Sequence, residues 1–458
     1  MPTPDTGGRP ESDAPPTLPP GFVLGVATSA YQVEGATAED GRGPCIWDTF
    51  SHQAGRIVDG STGDVAADHY HRVPEDVGLL ERLGVGGYRF SVSWSRVMPT
   101  GRGPVNEAGL DFYDRMVDRL LEAGISPMAT LYQSDLPQHL EDDGGWLNPA
   151  TARAFAEYAA VVGARLADRV ESWVPVNEPN VGAMLGYGLG TQAPGYALHF
   201  DALHVCHQML LAHGHGATAL RSVGARSVGC ANNHAPIWPS SEDPADVGAS
   251  KLFDSLWNGL FIEPMLLGRY PTDLEPLVEE LVQPGDLAAI RVPLDFYGVN
   301  YYSPIRIAAA PQDAPMPFEV HELLGYDRTD RGWTIVPDAL REWLITFRAR
   351  FRAALPPIVV TESGAAFNGE PDADGVVDDQ ARIDYLDQHL RAIAKAVDRG
   401  VDVRGYYVWS LLDAFEWTEG LSQRYGLVHV DFDTQVRTPK RSFDWYAALI
   451  AAQPRSIG

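Results

Sequence analysis

The sequence has 458 residues, 45% of them hydrophobic, and a formal net charge of −26 at pH 7. A chain of this size can build the core of one large α/β barrel or of two to three smaller domains. The negative charge, with no stretch rich in Lys and Arg, argues against nucleic acid and anionic membranes as partners.

The N-terminal twenty residues are rich in proline and contain no apolar stretch long enough for a signal peptide or a membrane span. We therefore predict a disordered tail over residues 1–20. The three cysteines, Cys45, Cys206 and Cys230, form no pair with metal-ligand spacing, and their odd number argues against a full disulfide framework. Together with the missing export signal, they predict a cytoplasmic location.

From residue 21 onward, short apolar runs typical of strands alternate with longer amphipathic stretches typical of helices. Eight strand-like runs occur, at residues 22–27, 87–92, 126–131, 172–176, 227–231, 296–300, 358–361 and 405–409. Helices are predicted at residues 111–124 and 380–400, each closed by a glycine. Eight alternations predict an α/β protein with a single (β/α)8 TIM barrel over residues 21–458.

Loops are expected to be elaborated on the C-terminal rim of this barrel, where functional residues of the architecture lie. The segment 308–331 is rich in Pro, Asp and Glu and is predicted to be one long loop at that rim.

Two of the predicted strands end at a glutamate, Glu178 in WVPVNEP and Glu362 in IVVTESG. Pro179 and Gly364 then prevent the strands from continuing. Because the C-terminal ends of barrel strands meet at one rim, these two carboxylates are expected on the same face. Such a pair can cleave a glycosidic bond with inversion or with retention, depending on the gap between the two groups.

Amides, aromatic residues, one arginine and one further glutamate occur at the other strand ends. They are Gln32, Arg89, Gln133, Asn177, Asn232, Asn233, Asn300, Tyr301, Tyr302, Trp409, Glu416 and Trp417. Amides and carboxylates bind hydroxyl groups, and indole faces pack against the apolar side of a sugar ring, so these residues predict a neutral sugar site. No Cys/His set has metal-ligand spacing, and neither GxGxxG nor Walker A occurs, so we expect no metal and no cofactor.

Six long motifs make the chain resemble glycoside hydrolase family 1, the β-glucosidase and β-galactosidase family, over nearly all of residues 22–450. They are FVLGVATSAYQVEG with DGRGPCIWDTF, YRFSVSWSRVMP, NEP at 177–179, GVNYYSP at 298–304, TESG at 361–364 and WSLLDAFEWTEG at 409–420. The resemblance implies a (β/α)8 barrel and two-step hydrolysis of a terminal β-linked sugar with retention. That sugar would be glucose-, galactose- or fucose-like, including modified and deoxy sugars.

The resemblance also implies roles for single residues. Glu362 would be the nucleophile and Glu178 the general acid and base, with carboxyl groups about 5 to 5.5 Å apart. Arg89, Asn177, Asn300 and Tyr302 would support them. The substrate would be bound by Gln32, Gln133, Asn177, Trp409, Glu416, Trp417 and Tyr425. The implied partner is a small-molecule β-glycoside, without nucleic acid or membrane, and the oligomeric state is left open.

The chain departs from the family pattern after the third strand, where TLYQSDLP has Gln133 and Ser134 in place of His and Trp. That histidine ordinarily contacts the 3-hydroxyl of the sugar. Gln133 still donates and accepts hydrogen bonds but carries no charge, and the absent indole at Ser134 opens space. Asn180, Ser363 and Tyr425 are further departures, so we predict an altered sugar or leaving group, such as a deoxysugar on a natural product.

Two other functions stay open at this point. A transglycosidase would use the same two glutamates, and a sugar-binding protein without catalysis would share the fold, although the presence of both carboxylates argues against it. A 6-phosphorylated sugar is disfavoured, because Glu416 would repel the phosphate and no basic residue replaces it.

Overall fold

The computed structural model describes residues 15–453. Over this range the strands are β1 (Val23–Ala27), β2 (Gly87–Ser91), β3 (Ser126–Tyr132), β4 (Ser172–Val176), β5 (Ser227–Val228), β6 (Cys230–Asn233), β7 (Ile237–Pro239), β8 (Tyr297–Asn300), β9 (Ile305–Ala309), β10 (Phe318–His321), β11 (Ile358–Ser363), β12 (Val403–Trp409), β13 (Val428–Val430) and β14 (Arg437–Pro439).

The α-helices of the same range are α1 (Ala30–Val33), α2 (Ile46–Ser51), α3 (His69–Leu83), α4 (Trp94–Val97), α5 (Glu107–Glu122), α6 (Gln138–Asp142), α7 (Pro149–Leu166), α8 (Pro179–Val181), α9 (Leu203–Ser222), α10 (Pro244–Asp254), α11 (Leu260–Leu267), α12 (Glu275–Val278), α13 (Asp286–Ile290), α14 (Pro337–Phe351), α15 (Gln380–Asp398) and α16 (Arg441–Ala452). No helix within residues 15–453 is both long and apolar enough to cross a bilayer.

A parallel sheet with the order β5-β4-β3-β2-β1-β12-β11-β8-β6 forms the barrel. β5 and β6 are two halves of one barrel strand, interrupted at Gly229; β5 pairs with β4 and β6 pairs with β8. The N–H of Glu178 donates to the carbonyl of Ala231 at 2.8 Å, which joins the ends of β4 and β6 and closes the barrel. The eight predicted strands and the (β/α)8 fold are therefore confirmed.

The two helices predicted with a closing glycine correspond to α5 and α15. α5 begins earlier than predicted, at Glu107, because Asn106 takes the position before the first helical turn. Gly124 and Gly400, just beyond the two helix ends, have φ values of 73° and 86°. Glycine adopts this left-handed conformation without steric cost, which is why both helices stop there.

The single long loop predicted over residues 308–331 is wrong in part, because the segment includes β-structure. β9 pairs antiparallel with β10 and parallel with β7, and these three strands form a small sheet beside α10. The prolines that suggested a loop lie mostly in the turn between β9 and β10, where they remove no hydrogen bond from the ladder.

The tail predicted over residues 1–20 lies outside the described residues up to residue 14, and residues 15–20 differ from the prediction. Leu18 is only 3% exposed, and its N–H donates to Oε1 of Gln453 at 3.2 Å. Nε2 of Gln453 donates in turn to the carbonyl of Pro16 at 3.2 Å. The prolines favour an extended backbone, and this lets one apolar side chain reach the core beside α16.

The hydrophobic core has a larger part, which spans the strands and the surrounding helices, and a smaller part under the rim. The smaller part consists of Ala27, Met128, Val174, Ala231, Phe296, Ala366, Tyr407, Trp409 and Tyr425. Gly25 and Gly87 make room for the Tyr407 ring, since a Cβ on either glycine would lie 2.5 Å from that side chain. The polar residues of the rim therefore lie above a closely packed layer of buried side chains.

Candidate active site

The two strand-end glutamates line one cavity at the C-terminal rim of the barrel. Most of the residues predicted to bind substrate line the same cavity, namely Gln32, Gln133, Asn177, Trp409, Glu416 and Trp417, as does Tyr302. These residues come from six separate parts of the chain, so the barrel topology alone brings them together. Arg89 and Asn300 lie directly beneath, where they bond the two glutamates.

Glu362 is buried at 3% exposure and accepts hydrogen bonds from three side chains. Arg89 donates to Oε1 at 2.5 Å, Gln133 Nε2 donates to the same oxygen at 3.3 Å, and the Tyr302 hydroxyl donates to Oε2 at 2.9 Å. Donors to both oxygens stabilise the carboxylate and fix its orientation. The predicted contacts of Arg89 and Tyr302 with one carboxylate are present.

Arg89 is itself held rigidly inside the barrel. Its Nε donates to Oγ1 of Thr130 at 3.1 Å and one terminal nitrogen donates to Oδ1 of Asn177 at 2.6 Å. The other terminal nitrogen, which bonds Glu362, also reaches the carbonyl of Thr361 at 3.3 Å. A buried guanidinium with partners on three strands keeps the carboxylate of Glu362 in one place.

Glu178 has different surroundings, although it lies in the same cavity. Its Oε1 accepts from the amides of Asn233 and Asn300, each at 2.9 Å. Burial, and after it the negative charge of Glu362, raises the pKa of Glu178 to about 8. At neutral pH Glu178 is therefore predominantly protonated, while Glu362 is surrounded by donors that favour its charged form.

Asn177 and Asn300 connect the two glutamates. The amide of Asn300 donates to Oδ1 of Asn177 at 3.1 Å, and Arg89 donates to the same oxygen. The hydroxyl of Thr361 donates to Oδ1 of Asn300 at 2.6 Å, which fixes the orientation of that amide. Both carboxyl groups thus belong to one buried hydrogen-bond network.

Gln32 and Glu416 form one wall of the inner cavity, the part of the site that is also lined by Gln133, Trp409 and Trp417. Nε2 of Gln32 donates to Oε2 of Glu416 at 3.1 Å and to the carbonyl of Phe415 at 2.9 Å. Trp409 and Trp417 present indole rings to the same space. The arrangement combines polar groups for hydroxyls with aromatic faces, as the sequence predicts for a sugar site.

Arg331 lines this cavity and was missed by the sequence analysis. It donates to Oε1 of Glu416 at 2.8 Å, and its guanidinium carbon lies 4.6 Å from the centre of the Trp333 ring. Burial raises the pKa of Glu416, and the charge of Arg331 opposes that rise. No basic residue replaces Glu416 in the sequence, but the fold places Arg331 beside it. The only sequence signal is an arginine near a tryptophan in a rim segment, which is weak.

Tyr425 and Asn180, two of the residues that depart from the family pattern, lie behind the cavity wall. Tyr425 is buried next to Trp333 with ring centres 6.5 Å apart, and Arg331 occupies the wall where Tyr425 was expected. Asn180 is also buried, and its amide donates to the carbonyls of Asn233 and Trp257. Both residues position their neighbours instead of lining the cavity.

The space expected beside Gln133 is part of the cavity. Ser134 lines it together with Val181, Leu185 and Gln192. Ser134 lies at the bend after β3 and adopts a left-handed backbone with φ of 63°. This conformation is uncommon for residues other than glycine. Within residues 15–453, no group of three or more His, Cys, Asp or Glu side chains is arranged to hold a metal ion.

Comparison with known proteins identifies the family of the chain. The chain matches the model of Glycosyl hydrolase family 1 over residues 14–454. It is 43% identical over 441 residues to Beta-glucosidase A of Acetivibrio thermocellus, covering 95% of this chain and 98% of that protein. It is 44% identical over 459 residues to a bifunctional beta-D-glucosidase/beta-D-fucosidase of Bifidobacterium breve, covering 95% and 98%.

Among solved structures, the family 1 β-glucosidase of Thermotoga maritima in complex with isofagomine lactam is similar throughout. Its TM-score is 0.91 at 40% identity, over 96% of this chain and 99% of that chain. Because these relatives are glycosidases, the comparisons favour neither a transglycosidase nor a non-catalytic sugar-binding protein. The chain belongs to glycosyl hydrolase family 1 and is a retaining β-glycosidase.

Proposed function

We propose that Glu362 is the nucleophile and Glu178 the general acid and base in the hydrolysis of a terminal β-linked glycoside. The observation that carries this assignment is the contrast between the two carboxyl groups. Glu362 accepts hydrogen bonds from Arg89, Gln133 and Tyr302, whereas burial and the nearby charge raise the pKa of Glu178 to about 8. An anionic group can attack while its protonated neighbour supplies a proton.

The reaction takes two steps. In the first, the Glu362 carboxylate attacks the anomeric carbon, the bond to the leaving oxygen breaks, and Glu178 transfers its proton to that oxygen. A glycosyl ester on Glu362 and a free alcohol result. In the second, ionised Glu178 takes a proton from water as the water oxygen attacks the anomeric carbon and the ester bond breaks. Two inversions retain the β configuration.

The inner cavity is proposed to hold the sugar. Gln32, Gln133, Asn177 and Glu416 would bind its hydroxyl groups, and the Trp409 and Trp417 rings would pack against its apolar faces. Tyr425 would act on the sugar only through Arg331 and Trp333, which stand in front of it. These contacts require a neutral, polyhydroxylated ring of about one sugar unit.

The sugar is proposed to be glucose-, galactose- or fucose-like, with room for a modified ring such as a deoxysugar on a natural product. The space beside Gln133 that is lined by Ser134 and Val181 supports a modified ring, because a sugar with a larger substituent would need it, and the change from His to Gln133 supports a different pattern of hydroxyl groups. The name of the Bifidobacterium breve relative adds that a protein of this family acts on both β-D-glucosides and β-D-fucosides.

The substrate proposal is tested by kcat/KM on aryl β-glycosides with one common leaving group. The series contains glucoside, galactoside, fucoside, 2-deoxyglucoside and 3-O-methylglucoside, with cellobiose as an additional neutral substrate. We expect the highest kcat/KM on a deoxy or modified sugar. The highest values on plain glucoside and cellobiose would contradict the modified-sugar part of the proposal and leave the catalytic assignment untouched.

Azide rescue tests the roles of the two glutamates. Glu178→Ala should lower kcat/KM on substrates with poor leaving groups by about 100- to 10,000-fold, the usual contribution of a general acid. With an activated aryl glycoside, azide should restore turnover in both variants. Glu178→Ala should give the β-glycosyl azide and Glu362→Ala the α-glycosyl azide, because only the latter lacks the nucleophile. The opposite configurations would refute the assignment.

The biological setting is proposed to be cytoplasmic, with a small-molecule β-glycoside as partner. The three cysteines are free and buried, which suits a reducing compartment. Fractionation of the native host with detection of the enzyme in the soluble cell extract or in the medium tests this location.

A further inference from the structure

The outer half of the active-site cavity carries several basic side chains. Its wall includes Arg306 on β9, His321 at the end of β10, and Arg328 in the segment that follows. The whole chain has a net charge of −26, so a local concentration of cations at the cavity mouth runs against its general composition. Glu322 lines the same part of the cavity, so the question is which of these cations remains available to attract a ligand of opposite charge.

Contacts made by Glu178 identify which part of the cavity receives the leaving group. Glu178 is the proposed acid, so the leaving oxygen must lie within its reach and the rest of the leaving group must extend outward. Asn233 donates to Glu178 and accepts from Nε1 of Trp257 at 3.3 Å. Trp257 lines the cavity and offers an aromatic surface on this side of the acid.

From Trp257 the wall continues to the small sheet of β7, β9 and β10. The Phe253 ring stacks on Trp257 at 5.9 Å, and Phe253 meets Phe318 of β10 at 5.0 Å. Arg306 lies on β9, the strand paired with β10. An aromatic surface and a cation therefore follow one another outward from Glu178.

The charge of Arg306 is fixed in position but is not neutralised by its direct hydrogen bonds. Among the described residues, its guanidinium donates to the carbonyls of Ser240 at 2.5 Å and Glu322 at 3.2 Å. Asp246 lies within electrostatic range, but its carboxylate accepts from the Ser241 hydroxyl and the N–H of Ala309.

The other two cations have closer acidic partners. Arg328 forms an ion pair with Glu322 at 2.7 Å, and His321 lies 3.8 Å from Glu319. Arg328 also donates to the carbonyl of Gly332 at 2.8 Å, so it has a part in holding the rim segment together. Arg306 is consequently the best candidate for an anionic group on a ligand.

We propose that the outer cavity binds leaving groups made of an aromatic ring that bears a carboxylate, with the ring against Trp257 and the carboxylate against Arg306. This inference rests on the proposed function, because Glu178 defines the leaving-group side. Guanidinium groups bind carboxylates through paired N–H donors, and indole rings pack on aryl rings, so the two residues match the two parts of such a leaving group.

The test compares two substrates that differ only in charge, the 4-(carboxymethyl)phenyl and 4-(carbamoylmethyl)phenyl β-glycosides of one sugar. The methylene group keeps the charge from altering the acidity of the departing phenol. The quantity measured is the ratio of kcat/KM for the carboxylate to kcat/KM for the amide. In the unaltered enzyme we expect a ratio above one that decreases as salt screens the charge.

Arg306→Met should lower this ratio about fivefold, the effect of losing one partly exposed charge pair. Arg306→Lys should keep most of it, because the charge remains while the hydrogen-bond geometry changes. Arg404→Met is the matched control. Arg404 lies near the N-terminal end of β12, away from the rim, and its exposed side chain pairs with Asp402. It should leave the ratio and the basal rate unchanged.

An unaltered enzyme with a ratio of one or below, or equal ratios for Arg306→Met and Arg306→Lys, would overturn the inference. A structural role of Arg306 in tying the rim strands together would change the rates on both substrates but not their ratio. Absence of turnover on both substrates and on every aryl glycoside would instead refute the proposed function, and the inference with it.

Discussion

At the residue scale, two identical side chains lie in different surroundings within one cavity. Glu362 receives three side-chain donors, including the buried Arg89, whereas Glu178 receives two neutral amides and lies close to the charge of Glu362. Burial without a cation raises the pKa of a carboxyl group, and burial against a guanidinium favours its charged form. The division of roles proposed for the pair follows from these contacts.

The raised pKa of Glu178 predicts the pH dependence of the enzyme. With a value of about 8, the proportion of protonated Glu178 falls as pH rises through 8. We therefore expect kcat/KM to decline above about pH 8, since the proposed general acid is then ionised in the free enzyme. The pH profile of kcat/KM on a substrate with a poor leaving group measures this limb, and a flat profile from pH 6 to about 9 would contradict it.

Asn233→Leu should move the same limb to higher pH. The Asn233 amide donates to Oε1 of Glu178 and stabilises the ionised form, so its loss favours the proton. Leu keeps the branched shape of Asn and replaces the polar amide atoms with methyl groups. A limb that stays in place, or moves to lower pH, would show that Asn233 does not set the pKa of Glu178.

At the scale of elements, α15 holds the loops that follow β11 and β12. Arg382 in its first turn is 1% exposed and pairs with Asp379 at 2.8 Å. Its guanidinium also donates to four backbone carbonyls of the two loops, those of Ala365, Phe367, Arg424 and Tyr425. One helix residue thus fixes the chain beyond Glu362 and beside the proposed sugar site.

Arg382→Met should lower the free energy of unfolding by about 3 to 5 kcal/mol, because it leaves Asp379 as a buried charge without its partner. Urea unfolding followed by circular dichroism measures the change. Arg404→Met, on an exposed ion pair, should stay within about 0.5 kcal/mol of the unaltered protein. Similar losses in both variants would contradict the role assigned to Arg382.

At the scale of the whole molecule, the two ends of the described chain meet below the barrel. Leu18, ahead of β1, and Gln453, after α16, are joined by a hydrogen bond from the Leu18 N–H to the Gln453 side chain. The contact lies at the N-terminal end of the barrel strands, and the candidate active site lies at the opposite rim. A substitution at this contact should therefore change the stability of the protein without changing catalysis.

Leu18→Ala should lower the free energy of unfolding by about 2 kcal/mol or more, since it removes a buried side chain and leaves a cavity. KM should not change, because the substitution is remote from the rim. Val58→Ala is the matched control at 73% exposure, and its effect should be within about 0.5 kcal/mol. An altered KM with unaltered stability in Leu18→Ala would contradict this separation.

Much of the fold could be predicted because its signals are local. The strand that ends at Glu178 and the strand that ends at Glu362 each have an apolar run and a residue that stops it, and α15 has its closing glycine. The β9–β10 hairpin was missed, because its short strands lie in a segment whose prolines and acidic residues are typical of loops. Leu18 was missed for the same reason.

The sequence by itself determined the barrel, the two glutamates and the family, because strand periodicity and long motifs are read within single segments. The tertiary structure decided what those residues can do. Contacts between distant segments pair Arg331 with Glu416 and join Gln133 to Glu362 by a hydrogen bond. The fold also places Tyr425 behind the cavity wall. The raised pKa of Glu178 likewise comes from burial and a neighbouring charge, which exist only after folding.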